Sequence, residues 1–367
     1  MTDQGSAAQR AFRFRGTWQE YAPIAFTNLL LTIVTLGIYS FWGRARTRRY
    51  LWSRTVFIDD RLEWTGTGLE LFIGYLLAFV LFVLPFGVIN LVLQGVLMRG
   101  HQGAGALMVG ILYLLALFLL GVARFRALRY RLSRTLWHGI RGGSDRQGIA
   151  YGWSWFWRSM VATLTAYLMT PWSMARLWNE RWNAMSFGSL QFRSHARWQP
   201  VFGRFMLFYL APVVLFFAIL GIAAIGFGAG MMAGIKPGAP PPAGVIVTFA
   251  LLGIAFYVIF FGVLGVIAAA FFSAFFREAV GATRLGDLEF GFEARTRDWV
   301  KLFIGNYALV IFTFGIGYIF IAYRNWAFFV RHLAAYGSVE IDTLTQSTTR
   351  EPGQGEGLLD AFDVGAF

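Results

Sequence analysis

The chain contains no cysteine, which removes disulfides, thiol nucleophiles and thiolate metal sites together. It is also short of charge. Asp, Glu, Lys and Arg make up 14% of its 367 residues, where an ordinary soluble domain has about 25%. Acid is scarcer than base, with 19 carboxylates against 32 basic side chains, and only Lys236 and Lys301 among the basic residues are lysines. No carboxylate stands in the middle of an apolar run; Glu20, Glu70, Glu180, Glu278 and Glu293 lie at the edges of such runs or in the segments between them. Ion-coupled carriers ordinarily use intramembrane carboxylates, so this absence argues against a proton relay and leaves a passive pathway open. The histidines, His101, His138, His195 and His332, show no ligand spacing, and no metal site is expected. Nucleophile elbows, phosphate-gripping glycine loops and zinc-protease motifs are missing. No catalytic or cofactor-binding residue is assigned, and the chain is read as a non-enzyme.

What is abundant is apolar. Hydrophobic residues make up 57% of the chain, aromatics 18%, and there are 42 glycines. That composition is a membrane protein's, since glycine is tolerated in lipid-embedded helices and aromatics gather at interfaces. Charge-free runs at Leu71–Met98, Ala104–Ala123, Phe205–Ile235 and Pro237–Phe276 each meet the ~20 residues needed to cross about 30 Å of hydrocarbon; the first is expected to bend near Pro85. Three shorter runs, Tyr21–Trp42, Met160–Ala175 and Leu302–Tyr323, are interrupted by Thr35-Leu-Gly37, Thr170-Pro171 and Phe314-Gly-Ile-Gly317. The first continues into an arginine cluster instead of a small-residue cleavage site, so a removable leader is not expected. The fold class is predicted to be an all-α polytopic membrane protein with four long transmembrane helices and three broken, re-entrant units.

After each apolar unit comes an arginine-bearing helix end and then a short strand, turn and strand. Such segments are predicted near 55–65, 135–148, 184–193, 283–292 and 335–343, where Asp-Asp, Gly-Ser or Gly-Asp flanked by alternating residues signals a tight β-hairpin. They read as an internal repeat. Ala11–Arg15 matches the second strand of the copies. Residues 11–345 then form one integral membrane domain, with disordered ends at 1–10 and 346–367.

Arginines concentrate beside the hairpins, and only Arg99 and Lys236 mark the opposite side. The +13 charge is therefore read as a topological record that keeps the hairpins and both termini cytoplasmic, not as a nucleic-acid surface. Hairpins on one side require an even number of crossings between them. Each broken unit is accordingly expected to enter and leave on that side; seven single crossings remain the competing layout.

The runs Phe12-x-Phe14-x-Gly16, Thr35–Trp52, Glu63–Phe72 and Arg126–Trp137 resemble the YjgN-type bacterial inner-membrane family, over about residues 11–345. The resemblance implies a polytopic inner-membrane protein in a domain family of unknown function (898). The third unit, Ala175–Trp182, departs from the basic pattern with two arginines and a Glu.

Asn28 and Asn306 each stand seven residues before a threonine, Thr35 and Thr313, that opens a break. These four are the candidate lining of a polar cavity; the simpler and favoured account is that they satisfy backbone groups freed by the break. Arg44, Arg46, Arg48, Arg49, Arg124, Arg126, Arg129 and Arg131 are the candidate contacts for anionic lipid headgroups. Eight tryptophans, Trp52, Trp137 and Trp178 among them, are read as interface anchors. The bilayer is the certain partner, a protein partner is open, and the oligomeric state is not legible. The function expected is transport or permeation of a lipid-like or small solute, with a membrane scaffold that binds a partner through the hairpin layer as the alternative.

Overall fold

The computed structural model describes residues 11–232, 243–337, 339 and 344–353. It is mostly helical, yet the strands do not remain isolated hairpins. Strands β1 (Phe12–Phe14), β2 (Thr55–Phe57) and β3 (Asp60–Arg61) form one antiparallel sheet. Strands β4 (Glu63–Trp64), β5 (Thr135–Trp137), β6 (Ile140–Gly143), β7 (Ser186–Phe187), β8 (Leu190–Ser194), β9 (Thr283–Leu285), β10 (Leu288–Phe292) and β11 (Leu333–Tyr336) form a second sheet of eight strands in sequence order. Only Leu62 separates β3 from β4. Phe12 stacks on Phe57 at 4.4 Å and lies 6.4 Å from Phe290, so the first strand curls toward the last hairpin. The class is thus mixed, not all-α. A lone hairpin leaves two edges of unpaired N–H and C=O groups, and joining hairpins edge to edge satisfies them.

The register makes each hairpin loop two residues: Ile58–Asp59, His138–Gly139, Gly188–Ser189 and Gly286–Asp287. The first loop residue is left-handed in all four, with φ of 56, 50, 55 and 57°, as tight hairpins between right-twisted strands require. The first turn is centred one residue before the Asp59-Asp60 pair that marks it in the sequence.

Five helical excursions connect the strands. The first is α1 (Trp18–Val34) and α2 (Ser40–Ser53). The second is α3 (Gly68–Ala78), a π-helical turn (Phe79–Val83), α4 (Leu84–Met98) and α5 (Gln102–Arg134). The third is α6 (Ile149–Leu164) and α7 (Thr170–Trp182), the fourth α8 (Gln199–Met232) and α9 (Ala243–Gly281), and the fifth α10 (Thr296–Phe312) and α11 (Ile321–His332). The strands flanking each excursion pair with each other: β1 with β2, β4 with β5, β6 with β7, β8 with β9, β10 with β11. Strands bonded about 4.8 Å apart cannot face one another across about 30 Å of hydrocarbon. Every excursion therefore returns to the side it left, and the layout of seven single crossings is excluded.

The three two-helix excursions without a long span reverse through the same turn. Thr35, Thr165 and Thr313 end the outgoing helix, their hydroxyls donating to the carbonyls of Leu31 at 2.7 Å, Val161 at 2.8 Å and Leu309 at 2.6 Å. The next two residues are left-handed, Leu36 and Gly37 at φ 51 and 94°, Ala166 and Tyr167 at 48 and 67°, Phe314 and Gly315 at 51 and 91°. The second of each pair donates its N–H five residues back, to Thr32, Ala162 and Val310, capping carbonyls that a helix end leaves orphaned. The breaks at Thr35 and Phe314 stand where the sequence puts them. The middle break precedes Thr170-Pro171, because Pro171 occupies the first turn of α7, where the missing N–H has no partner to lose.

Among the described residues, three helical segments are long and apolar enough to cross a membrane: Gln102–Arg134, Gln199–Ala218 and Gly253–Gly281. The fourth expected span, Leu71–Met98, is instead divided into α3 and α4. The π turn comes just before Pro85, whose ring and missing N–H disrupt regular helical bonding.

Helix and sheet are pegged together by tryptophan. Thr55, Thr135 and Thr283 each open a strand, donate their hydroxyl to the carbonyl four residues back, and accept an indole N–H from Trp326 (2.9 Å), Trp52 (2.9 Å) and Trp178 (3.1 Å). Trp52, Trp137 and Trp178 are buried, so they are core pegs and not interface anchors. The C-terminal segment also docks. Arg141 N donates to Gln346 Oε1 at 3.0 Å, Gln346 Nε2 to Gly139 O at 2.8 Å and Arg129 Nη2 to Arg350 O at 3.1 Å. Residues 346–350 thus hold to the sheet and to α5. Of the hairpin expected at 335–343, β11 pairs with β10; residues 338 and 340–343, the N-terminal residues 1–10 and the tail from 354 lie outside the described residues.

Helices α5 and α6 meet closely, because a Cβ on Gly152 would lie 2.4 Å from Val122 Cγ2 and 3.1 Å from the Phe118 carbonyl oxygen. Gly152→Leu is expected to force the pair apart and cost about 1–3 kcal/mol, read as a lower unfolding midpoint in detergent.

Candidate functional site

Between α5, the α6–α7 hairpin and α9 lies a cavity of about 380 Å³, within the ~300–1,000 Å³ typical of small-molecule sites. Its walls change character along their length. Tyr113 and Arg124 both line it from α5, and Thr170 and Arg181 from α7; each pair is eleven residues apart, about 16 Å along a helix. Tyr113, Leu117, Tyr167 and Phe272 line it with apolar and aromatic surface, and Arg124, Arg158 and Arg181 line it with charge.

Helical periodicity builds both walls. Ser173, Leu177 and Arg181 recur every four residues on the buried face of α7, and Tyr151, Trp155, Arg158 and Ala162 follow the same period on α6. Arg158 is paired: its Nη1 donates to Glu180 Oε2 at 3.1 Å and its Nη2 donates to Glu180 Oε1. Arg124 lies 4.3 Å over the Trp155 ring. Arg181 is only 7% exposed and has the Trp178 ring 5.7 Å away. Among the described residues neither Arg124 nor Arg181 has a carboxylate partner. Burial pulls Arg181 below the ordinary arginine value, Tyr151 opposes that shift, and Arg131 adds to it.

The Nε atoms of Arg124, Arg158 and Arg181, the Trp155 indole N–H and the Ser173 hydroxyl are all buried without a hydrogen-bond partner, and all five residues line this one cavity. Every one of these groups is a donor, and only the hydroxyl also accepts. A buried donor left unpaired costs about 1–3 kcal/mol. The guanidinium charges of Arg124, Arg158 and Arg181 stand on this lining, and guanidinium pairs with the oxygens of an anion through charge-assisted bonds.

Of the eight arginines singled out in the sequence, only Arg124 lines the cavity. Arg48 is buried 5.1 Å over the Trp64 ring. Arg129 is buried and donates to the carbonyls of Arg146 and Arg350. Arg126 Nε donates to Gln147 O at 3.1 Å, Arg44 lies 5.8 Å over Phe41, and Arg46 and Arg49 are exposed. Arg131 contributes its charge near Arg181. Arg158, Arg181, Tyr151 and Ser173 escape a search for arginine clusters. Their signal is an arginine inside an apolar helical stripe, legible at Tyr151-x-x-x-Trp155-x-x-Arg158 and Ser173-x-x-x-Leu177-x-x-x-Arg181.

The predicted polar positions sit elsewhere and cross-link helical pairs. Asn28 Nδ2 donates to Gly43 O at 3.0 Å, and Arg46 Nη1 donates to Asn28 Oδ1 at 3.4 Å. Arg324 Nε donates to Asn306 Oδ1 at 2.7 Å, and Asn306 Nδ2 to Asn325 Oδ1 at 3.0 Å. The hydroxyls of Thr35 and Thr313 also accept, from Tyr39 N and Gly317 N. None of the four is among the residues lining the 380 Å³ cavity. Replacing Asn28 and Asn306 together by Leu is expected to cost about 1–3 kcal/mol per orphaned partner, seen as lost folded yield on size-exclusion chromatography.

No solved structure matches the chain. It is similar to inner membrane protein YjgN of Salmonella typhimurium, 26% identical over 156 residues that cover 42% of this chain and 36% of that protein. It is likewise similar to inner membrane protein YjgN of Escherichia coli K12, 31% identical over 155 residues, with the same 42% and 36% coverage. The chain thus spans about a third of the length of the curated relatives it matches. A family model described as bacterial protein of unknown function (DUF898) matches residues 9–361. With nearly its whole length so matched, the chain belongs to the DUF898 family of bacterial proteins of unknown function.

Proposed function

We propose that the protein is a multi-pass inner-membrane protein that admits an anionic amphiphile from the leaflet nearest its sheet and passes it along the cavity between α5, α6, α7 and α9. The observation that carries this reading is the cavity itself, lined by Arg124, Arg158 and Arg181 together with apolar and aromatic side chains.

The height of polar groups above the sheet supports the placement. Asn28 on α1, Arg124 on α5, Arg158 on α6 and Asn306 on α10 each stand nine or ten residues from the sheet end of their helix, about 15 Å at the helical rise. They make a polar belt at one level. Beyond it, α5 continues for about 33 Å, enough to span, while the three helical hairpins continue for only about 9 Å before turning. Their tips are apolar and bare, with Leu36 94%, Leu164 86% and Phe314 97% exposed. A soluble protein would hide such residues, and a hairpin that dips into one leaflet would not. The arginine asymmetry puts that leaflet on the cytoplasmic side, with Arg44, Arg46 and Arg49 near the headgroups.

The test is reconstitution into vesicles containing a headgroup-labelled anionic lipid, followed by quenching from outside. Label on the inner leaflet should become accessible faster than in protein-free vesicles. No flux, together with no anionic lipid retained through purification, overturns the reading. A scaffold that binds a protein through the hairpin layer is the second reading; β11 pairs only with β10 among the described residues, leaving an edge that a partner strand could extend. Its mark would be a stoichiometric protein complex in the absence of flux.

A further inference from the structure

We infer that the head group this cavity takes is a phosphate monoester, carrying two negative charges and three terminal oxygens on one phosphorus. The inference rests on the reading that an anionic amphiphile enters the cavity, and it narrows the class. Fatty carboxylates offer one charge and two oxygens, and phosphodiester lipids one charge and two non-bridging oxygens. A monoester at neutral pH carries about −1.5 to −2 and three strong acceptors.

The charge count favours the monoester. Arg124, Arg158 and Arg181 bring three positive charges to the lining, and Glu180, bonded to Arg158, returns one negative charge. The difference, three minus one, leaves two. The three guanidinium groups come from three helices, Arg124 from α5, Arg158 from α6 and Arg181 from α7. Guanidinium groups also bind phosphate oxygens in a fork that an ammonium cannot reproduce. Seven and eleven residues along α5 from Arg124, Leu117 and Tyr113 give an alkyl chain an apolar wall.

The experiment uses the full chain in detergent micelles or nanodiscs. Its probes are dioleoyl phosphatidic acid, phosphatidylglycerol with the same chains, oleate, glycerol 3-phosphate and inorganic phosphate, with binding read by native mass spectrometry. Phosphatidic acid should bind at least about tenfold tighter than phosphatidylglycerol or oleate. Arg181→Gln should remove that preference while leaving weak anionic-lipid binding, and Arg181→Lys should restore it only in part. If Arg181→Gln does not fold, Arg124→Gln on the opposite wall serves the same test, and the lipid series on the unaltered protein decides independently. Equal affinity for phosphatidic acid and phosphatidylglycerol, both weakened by Arg181→Gln, overturns the monoester and leaves the amphiphile reading intact. Binding of none of the anionic lipids, glycerol 3-phosphate or inorganic phosphate overturns both. Glycerol 3-phosphate or inorganic phosphate bound as tightly as phosphatidic acid upholds the monoester chemistry, identifies a soluble source, and overturns the lipid.

Discussion

Trp137→Ala is expected to lower the unfolding free energy by about 3–5 kcal/mol. Trp137 stands on β5, 2% exposed, with its indole N–H donating to the Phe57 carbonyl at 3.0 Å and its ring 4.9 Å from that of Phe57. It thereby joins the second hairpin to the first. The site is already underfilled: Trp137 borders an apolar cavity of about 140 Å³ together with Phe12, Phe187 and Leu288. Removing the indole enlarges a void whose walls are strands fixed by their own hydrogen bonds. The neighbours can collapse only partly, and cost rises with the hole that remains, at about 24 cal/mol per Å³. Trp137→Phe should cost less, chiefly the orphaned carbonyl, at about 1–3 kcal/mol. Denaturant unfolding in detergent, followed by near-ultraviolet circular dichroism, measures both. A loss below about 1 kcal/mol for the alanine variant would mean that the curled sheet is not a core of the fold.

The second large effect is expected from Glu180→Ala. Glu180 is the carboxylate partner of Arg158, whose side chain is 8% exposed while its own is 38% exposed. Removing one member of a buried pair leaves an uncompensated charge, a loss of about 3–5 kcal/mol when both groups are fully buried. The partial exposure of Glu180 lowers the expectation to about 3 kcal/mol, because water reaches part of the site. Mutating the carboxylate also strips the cavity of its one counter-charge, so an added anion should recover stability in proportion to its binding. Thermal unfolding with and without phosphatidic acid checks the pair of effects. An unchanged midpoint without lipid would show that Arg158 does not depend on Glu180.

Much of the secondary structure is legible because its causes are local. The hairpin positions follow from alternation around two-residue loops. The reversals at Thr35 and Thr313 follow from a threonine that can bond its own helix and a glycine that can take a left-handed φ. At Thr165 the same turn is built with Ala166 and Tyr167, so the glycine signal is missing and the nearby Pro171 misleads. The π turn before Pro85 replaces the simple bend that proline suggests.

Hydropathy alone marks a membrane protein, and turn chemistry alone marks the reversals at Thr35 and Thr313, since both act over a few residues at a time. The tertiary structure alone decided that five separate hairpin segments become nearly one curled sheet, because pairing between β4 and β5 or β8 and β9 depends on where long excursions return. It alone decided which arginines share a cavity. Arg48 and Arg129 disappear into packing, while Arg181 faces a cavity assembled from α5, α6, α7 and α9. A charge acquires that meaning only from the partners that folding brings near it, or leaves out.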